Sequence, residues 1–327
     1  MALDAPTRQA ASGRPSVPVN RSLAVGSGER RRTWLYKVKQ TATGNIFLIP
    51  IALVFVVLYV IPMGQSFWYS LTDYDGYATP TFIGLKNYIS IFQDSSMLSA
   101  LSFTLLYAIA TTVIVTVFAI PLALVLNRKF IGRNFVRSVF FFPAVPSVAI
   151  LGLVWGFILS PLGSGVLNSA LHVIAGIGPI GWLSDSTLAQ ISVIGVAVWS
   201  LTGWHAILYL AYLQSIPGDY FEVATIDGAS RWQSFRYITL PLLVPAISVS
   251  QLLLLTGGLK VYDLPFTLTQ GGPGFATRTL TQSLIDDGIA QSLVGRASAL
   301  AVLFLLVVAI IVLGQLALSR RLERRYS

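Results

Sequence analysis

Cysteine is absent from the 327 residues. That excludes disulfides, thiolate metal sites and a cysteine nucleophile. Histidine occurs only twice, at His172 and His205, far apart in the chain. Neither H-E-x-x-H nor G-x-S-x-G occurs, although Gly163-Ser164-Gly165 has a superficial likeness to the second. The only paired carboxylates, Asp286-Asp287, read as a solvated loop pair. These shortages argue against a membrane enzyme and against a metal site. No G-x-x-x-x-G-K followed by Ser or Thr is present, so the chain has no P-loop of its own. Charge is also scarce. Asp, Glu, Lys and Arg make up 11% of the chain, against about 25% in soluble domains. None of the 13 acids falls inside the long apolar runs. Ion-coupled secondary transporters need ionisable groups there, and channels need a filter or a charged ring, so both classes are disfavoured. No inverted repeat is evident either.

What is present is apolar. The chain is 54% hydrophobic, with a mean hydropathy of +0.72. Residues 40–72, 95–127, 138–184, 186–218, 237–259 and 297–319 carry no charged side chain. Each exceeds the roughly 20 residues a helix needs to cross a bilayer. In lipid the backbone must satisfy its own hydrogen bonds, so these runs are expected to be helices. The long third run is rich in Gly and Pro after Ser160, so residues 161–187 are expected to be a loop with one short interfacial helix. The expectation is an all-α polytopic membrane protein with spans at about 46–71, 98–127, 137–160, 188–214, 239–262 and 297–319.

Basic residues set the orientation. Lys86, Lys260, Arg278 and Arg296 fall on one side, and the other eighteen of the 22 fall opposite. The positive-inside rule puts the eighteen, and both termini, in the cytoplasm. Residues 1–40 form a basic tail, poor in large apolar side chains over residues 1–32 and expected to be disordered. No apolar core follows early enough for a signal peptide. A membrane domain over 41–320 and a cytoplasmic tail over 321–327 complete the division. The excess of +9 thus reads as a topology determinant, not a nucleic-acid footprint.

One polar island, EVATIDGASRWQSFRYITLP over 222–241, interrupts the apolar runs on the basic side. Asp219 followed by Glu222 has capping-box spacing. Asp227-Gly228 is a turn signal that can end a first short helix, and Ser230 can cap a second. Pro241 suits the first turn of the next span. Tyr220, Phe221, Trp232 and Phe235 make the segment aromatic, which suggests a protein partner.

Glu222-Val223-Ala224, then Asp227-Gly228-Ala229, then Ile238, Leu240 and Pro241 resemble the EAA motif of bacterial ABC importer permeases. The family pattern has Glu-Ala-Ala, a Gly four residues on, then Ile-x-Leu-Pro. The chain departs from it at Val223. The resemblance implies a type I importer permease whose coupling segment, 217–236, docks into a cleft on a cytoplasmic ATPase. Glu222, Ala224, Asp227, Gly228 and Ala229 are its ATPase-coupling positions. Leu268-Thr269, Gly271-Gly272-Pro273, Thr277 and Thr279 resemble an outer loop of one permease subunit of maltose-, glycerol-phosphate- and trehalose-type importers, similar to the larger maltose permease. The similarity runs over roughly 44–320. Thr269, Gly271, Gly272 and Pro273 form the outer-loop motif, where Gly-Gly-Pro should enforce a rigid turn.

The resemblance also implies the assembly: a second permease subunit, two copies of a cytoplasmic ABC ATPase and an extracytoplasmic solute-binding protein, free or as a lipoprotein. It implies no cofactor in this chain and no enzymatic activity, since the partner hydrolyses ATP. The implied location is the bacterial cytoplasmic (inner) membrane. The implied cargo is a carbohydrate, a trehalose-like α-glucoside first, with glycerol phosphate, polyols and other polar solutes open. Sugars need hydrogen-bond partners and aromatic faces. Thr202, Trp204, His205 and Tyr209 on the fourth span, Gln251 on the fifth and Tyr262 at its end are the candidate pathway residues. Thr202, His205 and Tyr209 share one helical face.

Overall fold

The computed structural model describes residues 48–162 and 165–326. The basic tail expected over 1–40 lies outside the described residues. The chain divides into two compact units, residues 1–62 and 63–327. Within the first, the described residues form the start of an apolar helix, α1, Leu48–Tyr69. Its residues Val56–Val60 widen into a π-type turn just ahead of Pro62. Proline lacks the N–H for the bond to the residue four back, and a wider turn accommodates that loss.

The second unit continues with α2 (Lys86–Gln93), α3 (Ser95–Asn127), α4 (Arg133–Phe141), α5 (Val148–Ile158) and α6 (Val166–Ala175). Then come α7 (Ser186–Ser215) and α8 (Asp219–Ile226). The helix α9 (Arg231–Leu259) is followed by α10 (Asp263–Thr269), α11 (Leu280–Ile285) and α12 (Val294–Tyr326). Among the described residues there is no strand, only an isolated bridge between Thr72 and Phe82. Among the described residues, five helices are long and apolar enough to cross a membrane: α1, α3, α7, α9 and α12. The sixth candidate is a pair, Arg133–Ala144 and Val148–Ile158, bent by 93°.

That corner falls within the single span expected at about 137–160. Pro143 and Pro146 have no N–H to continue the helical bonds through this stretch. Phe142 and Val145 before them keep helical angles. The chain turns at Ser147, which is extended at φ −64° and ψ 145° and restarts a helix by accepting from the Ile150 N–H. The fifth span differs. It starts at Arg231, not near 239, because the second short helix runs into it through a π-type turn at Phe235–Thr239. Pro241 therefore lies inside a continuous helix, again just beyond a widened turn.

The core sits where α3, α7 and α9 meet. Val115, Ala119, Ala123 and Leu126 pack with Ala206, Tyr209, Leu210 and Leu213, and with Leu243, Ala246 and Leu254. Small residues let the helices approach closely, since apolar burial gives no preference for protein over lipid. At Gly258 a Cβ would meet the Ala108 Cα at 2.8 Å, so this crossing requires glycine. Toward the other end, Ile91, Met97 and Ala100 pack with Leu280, Ala299 and Leu300, joining α2, α3, α11 and α12.

Candidate functional site

At the end of the spans that carries Arg128–Arg137 and Arg320, α8 stands out as a short exposed helix. Its N-cap is Gly218, and Asp219 is already the first helical residue, so the capping box expected from Asp219 and Glu222 does not form. Both acids instead lie in the first turn, where they complement the helix dipole. The other end is as expected. Gly228 takes the left-handed conformation at φ 74°. The N–H of Ala229 donates to the Ala224 carbonyl at 2.9 Å and that of Gly228 to Thr225 at 3.1 Å, a Schellman closure. Ser230 and Gln233 then form a full capping box that starts α9. Ala224 is buried, while Glu222, Val223, Ile226, Asp227 and Gly228 are exposed and Ala229 is half-buried. A cleft of about 630 Å³ lies beside them, lined by Pro217, Asp219, Tyr220, Val223, Ala224, Asp227 and Ile238.

A second cavity, of about 280 Å³, opens among α3, α7, α9 and α10. Its polar wall comprises Thr111, Ser200, His205, Lys260, Tyr262 and Asp263. His205 is buried and shares a 2.8 Å hydrogen bond between Nδ1 and the Ser250 Oγ. Trp204 packs edge-on against its ring at 4.7 Å and is itself exposed on the other face. Tyr262 stacks on Phe266 at 5.0 Å. Of the six candidate pathway residues, His205 and Tyr262 line this cavity. Thr202 is half-buried, its hydroxyl donating to the Val198 carbonyl at 2.6 Å. Tyr209 is fully buried in the α3–α7–α9 core. Gln251 accepts a 3.1 Å bond from Gln315 Nε2 and ties α9 to α12.

At the opposite end, the Gly-Gly-Pro loop is held from within and from outside. The Thr269 and Thr277 hydroxyls lie 2.6 Å apart, and Thr277 Oγ1 donates to the Gly272 carbonyl at 2.7 Å. Gly271 has φ 87°, and a Cβ there would meet Gln282 Oε1 at 2.8 Å. The Gly272-Pro273 peptide bond is cis. Ser99 of α3 donates to the Phe275 carbonyl and Gln190 of α7 to that of Ala276. Thr104 of α3 accepts from the Leu280 N–H at 3.0 Å. The loop is thus a rigid cap over α3 and α7.

An ion cluster flanks it. Arg278 pairs with Asp286 at 2.9 Å. Arg296 pairs with Asp94, the N-cap of α3, and approaches Asp287 at 3.2 Å. Asp287 is only 2% exposed, which corrects the expectation of a solvated Asp286-Asp287 pair. Burial pushes the Asp287 carboxyl up, against the opposing pull of Arg296 and Arg278. Burial also raises Asp94, but its hydrogen bonds to Ser96 and Arg296 win and hold it at about 2.

Several residues carry geometry that the sequence alone hides. Thr111 and Tyr107 line the cavity from α3, a helix apolar all round, so nothing marks which face looks inward. Asn168 in α6 is buried and holds the loop together. Its amide donates to the Ser160 and Ile180 carbonyls, and its oxygen accepts from the Ile180 N–H and Trp182 Nε1. A single Asn in a short apolar helix gives no sign of which backbone groups it will hold.

The family profile of binding-protein-dependent transport system inner membrane components matches residues 116–324. The chain is 34% identical over 293 residues to a multiple sugar-binding transport system permease protein of Streptococcus mutans, covering 88% of this chain and 98% of the relative. It is 31% identical over 265 residues to a trehalose/maltose transport system permease protein of Thermococcus litoralis, covering 79% and 89%. Its fold resembles a chain in the crystal structure of a bacterial alginate ABC transporter in complex with an alginate pentasaccharide-bound periplasmic protein. That match has a TM-score of 0.76 and 25% identity, over 88% of this chain and 97% of the other.

Proposed function

The chain belongs to the family of binding-protein-dependent transport system inner membrane components, and from that membership we infer that it is one of two different permease subunits of an ATP-driven carbohydrate importer. It is a non-catalytic membrane subunit. The observation that carries the mechanism is the exposed α8 with its Schellman turn. It presents Glu222 and Asp227 on a short rigid helix joined directly to α9. Such a helix can transmit a push along α9 without bending, because Ser230 and Gln233 cap the joint. Two copies of a cytoplasmic ATPase bind at this end, one of them to this chain, and Glu222 and Asp227 make polar contacts with it. Ala224, Gly228 and Ala229 keep the turn compact. We read a tail over 1–40, a membrane domain over 41–320 and a short tail over 321–327, and the distribution of basic residues supports both termini in the cytoplasm. The solute-binding protein, free or lipid-anchored, docks at the opposite end, over the Thr269–Pro273 cap.

The cargo is a carbohydrate, with a disaccharide such as trehalose or another α-glucoside as the favoured member. The sugar relatives support the class. The cavity chemistry supports a neutral solute: Asp263 and Lys260 line the same wall and their formal charges cancel, which disfavours a phosphate ester. Tyr262 and Tyr107 offer faces for sugar C–H groups, and Ser200, Thr111 and His205 offer hydrogen bonds. The test is uptake by cells lacking the gene, with labelled trehalose, maltose, glycerol 3-phosphate and an amino acid. Loss of one sugar alone, restored by the wild-type gene, is the expected result. Loss of glycerol 3-phosphate uptake instead would overturn the substrate class.

A further inference from the structure

The basic end holds a second groove, between α9 and α12. Pro241, Leu242, Val244 and Pro245 form one wall, and Arg320, Glu323 and Arg324 form the other. Its volume is about 490 Å³. Arg320 and Arg324 are exposed, and among the described residues neither they nor Glu323 take part in an ion pair. The helix above continues the same face. Leu306, Ile310, Leu313 and Ala317 are exposed and precede Arg320 and Arg324 at helical spacing, making one stripe. The stripe is apolar for three turns and becomes basic where α12 leaves its apolar stretch. That is the polarity of a glycerophospholipid standing beside the helix.

We propose that this groove binds the headgroup of a phosphatidylglycerol-type lipid, with its acyl chains along the α12 stripe. The phosphodiester meets Arg320 and Arg324, and the glycerol hydroxyls donate to Glu323. Two cations and one carboxylate leave a net charge of +1, which matches one phosphodiester. Basic pockets between spans on the cytoplasmic side suit anionic headgroups. The net charge of +1 favours an anionic headgroup over zwitterionic phosphatidylcholine, and the carboxylate accepts from the glycerol hydroxyls. Leu242, partly exposed at the rim, meets the first methylenes. The proposal rests on the membrane placement, not on which solute is carried.

The test uses the complete importer, reconstituted in nanodiscs containing phosphatidylcholine and phosphatidylglycerol in equal amounts. Native mass spectrometry of the released complex counts the lipids retained. Wild type should retain phosphatidylglycerol in preference to phosphatidylcholine. Each of Arg320→Gln and Arg324→Gln should weaken that retention about 5-fold, from the ~1 kcal/mol each basic residue contributes near an anionic lipid. Arg321→Gln, an exposed change outside the groove, should leave it unchanged. Equal retention by all variants overturns the proposal, as does equal retention of both lipids by wild type. Displacement by millimolar inorganic phosphate also overturns it, because the acyl wall would then contribute nothing. If either variant loses the ATPase or the second permease while keeping its lipid, the groove is a protein interface and the proposal fails.

Discussion

Asp94 serves two partners with one carboxylate. One oxygen accepts from the Ser96 N–H and hydroxyl, capping α3, and the other pairs with Arg296 of α12. Asp94→Ala should lower stability by about 1–3 kcal/mol, the sum of a lost cap and a partly buried pair. Thermal unfolding in detergent measures it. The pH sign follows from the depressed carboxyl. Its stabilisation is fully present above pH 3.8 and is lost as pH falls toward about 2. Asp287 has the opposite sign, because burial raises it, so its ionised form costs stability at neutral pH. Gln251 is the residue whose role shifts most once the structure is known. It bonds to Gln315 instead of lining the cavity. Gln251→Leu should therefore reduce transport through loss of about 1 kcal/mol of α9–α12 coupling. Gln251→Leu with Gln315→Leu should recover most of the unfolding temperature. No recovery in the double variant would return Gln251 to the pathway.

Among the elements, the ends were more legible than the paths between them. Gly228 and Ser230 announce a Schellman turn and a capping box because only particular residues satisfy those geometries. Asp219 misled for the same reason in reverse, since Gly218 also serves as an N-cap and moved the start by one residue. The prolines at 143, 146 and 241 were visible, but a proline can break a helix, kink it or be absorbed by a π-type turn. The first two lie at a corner and the last lies within α9. Gly258→Leu should be severe, since its Cβ would meet the backbone of Ala108. A loss above about 3 kcal/mol, or failure to assemble, is expected from overpacking a tight crossing. Gly228→Val tests the turn differently. Nothing lies within 4 Å of its Cβ position, so the cost is conformational, about 1–2 kcal/mol from the left-handed backbone. The complex should fold yet hydrolyse ATP with less transport per turnover.

For the whole molecule, the all-α membrane class was legible because charge-free runs of this length have few alternatives in water or lipid. The candidate cavity was legible only in part. His205 and Tyr262 line the cavity, but Thr111 and Tyr107 could not be chosen, because α3 is apolar on every side. A helix that faces lipid, protein and cavity in turn leaves no periodic mark. The geometry of the proposed coupling segment escaped that problem, since it lies between the apolar runs and Gly228, Ser230 and Gln233 mark its turn and cap. It is also where the central claim can be tested most directly. The measurement is ATP-driven accumulation of a labelled disaccharide by the complete importer in proteoliposomes, with ATPase activity read in parallel. Glu222→Lys reverses the charge on the exposed face of α8 without touching the cavity. The predicted result is near-complete loss of accumulation, with the membrane subunits still folded and the ATPase either dissociated or hydrolysing without transport. Full, coupled accumulation by Glu222→Lys would contradict the assignment of α8 as the point where the ATPase acts.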